Sequence, residues 1–224
     1  NNVDIRRNVF LDNWRGDLVV ASDRSYKRVV YLEMDKKNNR LKVLGFSETG
    51  VQRPYGICMH HGPYGVEVFV TGKDGDLSQI RVLKINPSAG VLTQTTSKIQ
   101  FNSQIEGCVV DDITGHLYVG EEDRGIWRSN VRNIRSKKLM ALTGEADGLM
   151  PDVEGLAIYR KSPQSAWLFA SSQGDNSYVI YQLMPFRQVL KFRIGNNDVA
   201  GIDGVSETDG LEVTGVPLGG SVPK

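Results

Sequence analysis

The chain has 224 residues, of which 40% are hydrophobic and 24% charged, with a formal net charge of +1. That balance supplies no global field for nucleic acid or a membrane surface, and no run of about 18 apolar residues reads as a membrane span. The 24 glycines point to many turns, and the ends "NNVDIRR" and "GGSVPK" read as those of a segment of a longer chain.

In chain order, the first predicted elements are "DIRRNVF", "DLVVAS", "RVVYLEM" and "RLKVLGF". They are short runs rich in β-branched and aromatic residues, bounded by turn residues, and so read as strands. The next four are "YGICMHH", "VEVFVTG", "QIRVLKI" and "VLTQTTSKI"; then come "EGCVVDD", "HLYVGE", "GIWRSN" and "KKLMALT". The fourth set is "EGLAIYR", "WLFASS", "YVIYQL" and "QVLKFRI". Helical periodicity is nearly absent, so the chain is all-β. The sets begin alike, at Glu106-Gly107, Glu154-Gly155 and Asp209-Gly210, at Tyr55-Gly56 and, without the glycine, at Asp4. Starts at 4, 55, 106, 154 and 209 give intervals of 51, 51, 48 and 55 residues. Four antiparallel strands repeated at roughly 50 residues predict a β-propeller. Stacked sandwiches are the alternative, but they do not predict units of such regular length. Residues 1–224 are expected to form one partial propeller domain: four blades and the first strand of a fifth, from a six-bladed whole. Open ends of such a partial ring would expose apolar sheet faces.

Propeller geometry turns this repeat into a list of site residues. The first strand of each blade lines the central channel. It starts at the same mouth where the antiparallel second strand ends. First-strand starts are Asp4, Tyr55, Glu106, Glu154 and Asp209, with Asp152 and Asp203 just before two of them. Second-strand ends are Arg24, Lys73, Glu122 and Gln173. Any one acid at a strand end is commonly a solvated turn residue. A charge or amide in the same slot of successive units argues for a shared site. Carboxylates without His or Cys partners suit a hard cation with oxygen ligands, calcium ahead of magnesium because it tolerates irregular geometry. Arg24 and Lys73 suit phosphate, the one as a planar fork and the other as a point charge.

Other features read more plainly. Cys58 and Cys108 lie in apolar runs, so buried free thiols are expected, with a disulfide the alternative. No zinc-ligand spacing surrounds His60, His61 or His116. The cation run from Arg128 to Lys138 reads as a solvated outer strand and loop, since no aromatic residues interleave it. Trp127 is expected to pack between blades. Asp111 and Asp112 fall at the end of their strand away from the mouth, and Glu121 is open between an inward and a solvent-facing position.

The stretches "NNVDIR", "ASDRS", "YGICM", "VTGKDG", "SQIEGCVVDDITGHLYVGEEDRGIW", "PDVEGLAIY", "ASSQGDNSYVIY" and "DGVSETDGLEV" resemble the β-propeller phytases, the calcium-dependent alkaline phytases. The resemblance implies hydrolysis of myo-inositol hexakisphosphate by metal-activated water, with several calcium ions at the channel mouth. It implies that Glu106, Glu122, Glu154 and Asp203 serve the cleavage site as calcium ligands, supported by Asp152 and Asp209. Asn2, Val3 and Asp4 match a segment that helps hold a further calcium. Arg24, Lys73 and Tyr55 match substrate-binding positions, and Gln173 a position beside the metals. The family's Asp-rich segment and a lysine expected before "NNVD", and a further acidic strand expected after Val213, have no counterpart in these residues. The substrate is expected as its calcium complex, the protein as a secreted or periplasmic monomer, and no nucleic acid or membrane partner is implied. Two other functions fit the residues less fully. One is a non-catalytic propeller binding an anion or a partner; the other is a different metal-dependent propeller hydrolase, which leaves Arg24 and Lys73 without a role.

Overall fold

The computed structural model describes residues 2–144 and 148–215. Sixteen strands form four sheets of four, each a run of consecutive antiparallel strands. Blade 1 holds β1 (Val3–Leu11), β2 (Trp14–Asp23), β3 (Arg28–Asp35) and β4 (Arg40–Glu48). Blade 2 holds β5 (Pro54–Gly62), β6 (Gly65–Gly72), β7 (Asp76–Asn86) and β8 (Gly90–Gln100). Blade 3 holds β9 (Ile105–Asp111), β10 (His116–Glu121), β11 (Gly125–Asn130) and β12 (Asn133–Leu142). Blade 4 holds β13 (Val153–Ser162), β14 (Ser165–Ser172), β15 (Ser177–Leu183) and β16 (Phe186–Phe192). The expected all-β propeller arrangement is thus present as four blades.

Burial explains why the strands read so differently. The second strands of blades 2 and 3 have a blade on each face, and β6 and β10 are buried almost throughout. They therefore appear as continuous apolar runs rather than alternating ones. The outermost strands β8 and β16 are largely exposed, and the cation-bearing β12 is also outermost in its sheet. Three apolar layers fill the gaps between blades. Leu18, Val20 and Tyr31 meet Met59, Val68 and Val70 between blades 1 and 2. Phe69 and Leu77 meet Leu117 and Val119 between blades 2 and 3. Tyr118 and Ile126 meet Leu168 and Tyr181 between blades 3 and 4.

The first strands lie side by side around the axis, β1 on β5, β5 on β9 and β9 on β13. Glycine makes this approach possible. A Cβ on Gly56 would sit 2.0 Å from the Glu106 carbonyl oxygen, and one on Gly107 would sit 1.8 Å from that of Glu154. Both distances are far inside contact, so only glycine fits there.

One sequence expectation fails at this axis. Cys58 and Cys108 are joined in a disulfide rather than free. The repeat brings β5 and β9 together, and the two Cα atoms are 5.7 Å apart, within bonding range. Apolar surroundings, which favoured free thiols, do not report this proximity. The expected fifth first strand also differs: Asp209–Leu211 packs against Gly155 but forms no ladder among the described residues. Among the described residues no second strand follows it, and an unpaired strand gains no ladder hydrogen bonds.

Candidate metal and phosphate site

The recurring residue–glycine pair is a β-bulge. In blade 2, Pro54 pairs with Gly72 and Ile57 with Val70, so Tyr55 and Gly56 face Thr71 alone. In blade 3, Glu106 and Gly107 face Gly120; in blade 4, Glu154 and Gly155 face Ser171. A bulge kinks the strand and re-aims the side chain of the extra residue. Three blades thereby turn Tyr55, Glu106 and Glu154 toward one mouth. In blade 1 the same slot faces Ser22 and is held by Asn2, whose carbonyl accepts from the Ser22 amide at 3.0 Å. Asp4, expected there, lies two residues further along, in β1 opposite Val20. Its carboxylate is spent on Arg6 at 2.7 Å and the Met59 amide at 2.8 Å.

The second strands deliver the other half. Arg24, Lys73, Glu122 and Gln173 are each the first residue beyond β2, β6, β10 and β14. Carboxylate oxygens of Glu106, Glu122 and Glu154 lie within 4.8 Å of one another. Asp152 sits beside them at a positive φ of 74°, uncommon outside glycine though tolerated by Asp. Its amide donates to the Glu122 carbonyl at 2.9 Å, and its own carbonyl accepts from Gln173 at 3.0 Å. Next to the acids, the Arg24 guanidinium and the Lys73 ammonium both rest on the Tyr55 ring, at 4.7 and 4.2 Å from its centroid.

Electrostatics mark the acid group as incomplete. Burial, then the adjoining Glu106 carboxylate, push the Glu154 carboxyl well above the usual carboxylate range. Burial and neighbouring acids also raise Glu122 and Asp152. Burial, then the Glu106 carboxylate, raise the Tyr55 phenol, which keeps its proton. The hydrogen bonds supplied to the acids come from neutral amides: Asn2 Nδ2 to Glu106 Oε1 at 3.0 Å, and Gln104 Nε2 to Glu122. Glu106 Oε2 and Glu154 Oε2 remain buried without a partner. Two unpartnered, buried anionic oxygens in one cluster are costly unless a cation or proton lies among them. The donor set is all oxygen, as a hard metal ion requires, so the residues fit a metal ion.

Not every expected residue joins the group. Asp209 is exposed, yet close enough for its charge to act on Glu154 and Asp152. Asp203 is exposed in the irregular chain past the turn at 198–201 and is not one of the three clustered carboxylates. Val3 is an exposed residue of β1, and Asn2 reaches the cluster through its side-chain amide. Gln173 is half-buried, and its amide donates to the Thr208 carbonyl at 3.3 Å. At the other end of the channel wall, Asp111 pairs with Arg160, and Asp112 with Arg6 and His60. Those acids lock blades together.

Glu121, open in the sequence, is fully buried. It accepts from the amides of Asn102 (2.8 Å) and Ser103 (2.9 Å) and from Trp127 Nε1 (2.7 Å). It thus anchors the loop whose Gln104 steadies Glu122. A buried donor left unpaired costs about 1–3 kcal/mol. Glu121→Leu takes the acceptor from these donors and from the Ser103 hydroxyl, and is expected to lower stability by about 3 kcal/mol or more, read as a lower urea midpoint.

Comparison with known proteins decides the lineage: the phytase family model matches residues 1–224, the whole chain. The chain belongs to the phytase family. It is 34% identical over 234 residues to the 3-phytase of Bacillus subtilis (strain 168). All of this phytase-family chain is covered in that match, but it spans only 60% of the relative's length. Among solved structures, a functionally unknown protein from Desulfotomaculum acetoxidans DSM 771 matches with a TM-score of 0.55 and 18% identity, covering 86% of this chain and 56% of that one. A chain of a humanized mutant of the Chaetomium thermophilum Polycomb Repressive Complex 2 matches with a TM-score of 0.54 and 11% identity, over 81% and 37%. At such identities the likeness is one of fold alone.

Proposed function

We propose that the full protein is a six-bladed, calcium-dependent phytase that hydrolyses phosphomonoesters of myo-inositol hexakisphosphate, taken as its calcium complex. The observation that carries this reading is one mouth holding three clustered glutamates, two of them with unpartnered buried oxygens, beside the Arg24–Tyr55–Lys73 group. Glu106, Glu122 and Glu154 would hold the ion, with Asp152 and Asp209 adding negative charge. Membership of the phytase family supports the substrate class. Oxygen donors contributed by different blades suit calcium, which accepts 6–8 of them in irregular geometry. A bound divalent ion polarises a phosphoryl oxygen and lowers the pKa of water.

The chain's own residues supply the rest. Arg24 and Lys73 bind phosphate oxygens, the fork fixing orientation and the ammonium adding charge. Stacking on Tyr55 holds both cations next to the carboxylates. Tyr55 keeps its proton on the phenol oxygen, so it can donate toward Glu106. The Cys58–Cys108 disulfide supports a secreted or periplasmic setting, because disulfides persist in oxidising compartments. Phosphate release from phytate by the full-length protein tests the proposal. Release is expected with calcium and is expected to stop in excess chelator; release unchanged by the chelator contradicts it.

A further inference from the structure

We infer that Thr71 is a positioning residue for the mouth, one of a set of buried hydroxyls that couple each bulge to the next blade. The inference rests on the phytase reading of the site. Thr71 is fully buried on β6, opposite the Tyr55–Gly56 bulge. Its hydroxyl accepts from the Gly56 amide at 2.9 Å and donates to the Glu106 carbonyl at 2.8 Å. An amide can only donate and a carbonyl can only accept, so the polarity of this bridge is fixed. One hydroxyl thus ties the bulge that aims Tyr55 to the bulge that aims Glu106.

The same slot, two residues before the mouth residue of each second strand, repeats the device. Ser22, two before Arg24, donates to the Tyr55 carbonyl at 3.0 Å and accepts from the Asn2 amide at 3.2 Å. Ser171, two before Gln173, donates to the Thr208 carbonyl at 2.6 Å, next to Asp209. In blade 3 the slot is Gly120, where a Cβ would come within 3.1 Å of Val153. There the Asp152 amide bonds the Glu122 carbonyl instead. Each blade junction therefore carries one polar link at the level of the site residues. A mouth built from different blades depends on such links to hold its spacing, since none of its side chains shares a sheet with all the others.

Thr71→Val keeps the shape and removes both hydrogen bonds; Thr71→Ser keeps them. Thr49→Val is the control: Thr49 is equally buried, but its hydroxyl bonds the carbonyls of Lys27 and Val51. Each is made in the full-length protein, and kcat, KM and calcium affinity (by calorimetry with calcium alone) are measured with the melting temperature. Misplacing a reacting group by about 1 Å costs on the order of 10²-fold. Thr71→Val is expected to lose about 10- to 100-fold in kcat/KM and to bind calcium more weakly, Thr71→Ser to recover both, and Thr49→Val to lose melting temperature alone. If Thr71→Val does not fold, Ser22→Ala carries the same expectation. Wild-type kinetics and calcium affinity in the hydroxyl-free variant overturn the inference. A wild-type protein that neither binds calcium nor releases phosphate overturns the phytase reading beneath it.

Discussion

Glu154→Gln is expected to reduce phosphate release from phytate by about 10²–10³-fold with the fold intact. The side chain is buried at the centre of the carboxylate cluster, with one oxygen unpartnered. Glutamine preserves its shape and removes its charge. Metal-assisted stabilisation of a phosphoryl transition state is worth several kcal/mol. At about 1.4 kcal/mol per tenfold in rate, the loss of one ligand falls in the stated range. The variant has a second signature. Without a cation, the wild-type cluster carries repelling carboxylates or borrowed protons, and glutamine relieves both. In chelator, Glu154→Gln is therefore expected to melt no lower than wild type, although in calcium it melts lower. Full phosphate release by the variant, measured with calcium, removes Glu154 from the site.

Chelation is expected to lower the melting temperature of the full-length protein by about 3–8 °C. A ligand present at about 100 to 1,000 times its dissociation constant stabilises the native state by about 2.7–4.1 kcal/mol. Each kcal/mol moves the melting temperature by about 1–2 °C for a six-bladed protein of about 300 residues or more. The pH dependence should invert as well. In the cation-free protein the folded-state pKa of Glu154 is raised above its ordinary 4.5, and Glu122 and Asp152 shift the same way. Above the ordinary value the folded state then holds more protons than the unfolded chain, so stability falls as pH rises. With calcium bound the carboxylates are ionised, and protons compete with the ion as pH falls. From about pH 5 to about pH 8 the melting temperature should decline in chelator and hold or rise in calcium. Parallel profiles in the two conditions would leave the cluster without a cation.

Much of this was legible in the sequence because the repeat is strict. The first strands of blades 2, 3 and 4 begin with a residue–glycine pair, and that glycine marks a bulge and a close backbone approach. Blade 1 lacks that pair, and without it the repeat puts Asp4 in a slot that the ladder gives to Asn2, opposite Ser22; the Asp4 carboxylate turns to Arg6 instead. The hairpin slot at Arg24, Lys73, Glu122 and Gln173 followed from antiparallel geometry alone. What escaped was set by lateral packing between blades. Cys58 lies three residues beyond Tyr55 and Cys108 two beyond Glu106, so their pairing depends on the stagger of neighbouring strands. Thr71, Ser22 and Ser171 occupy one slot, but a serine or threonine before a turn is too ordinary to single out. Gln104 carries no periodic signal, since it lies in the loop before β9 and reaches Glu122 across the blade. Glu121 stayed open because the bulge beside it breaks the alternation that would assign its face.

Glu106, Glu122 and Glu154 are expected to hold one divalent cation together. Crystals of the full-length protein grown with calcium, and in parallel with manganese for its anomalous signal, test it most directly. An anomalous peak is expected within about 2.0–2.6 Å of carboxylate oxygens from all three glutamates. Well-ordered metal at other positions, with these three carboxylates carrying none, would contradict it.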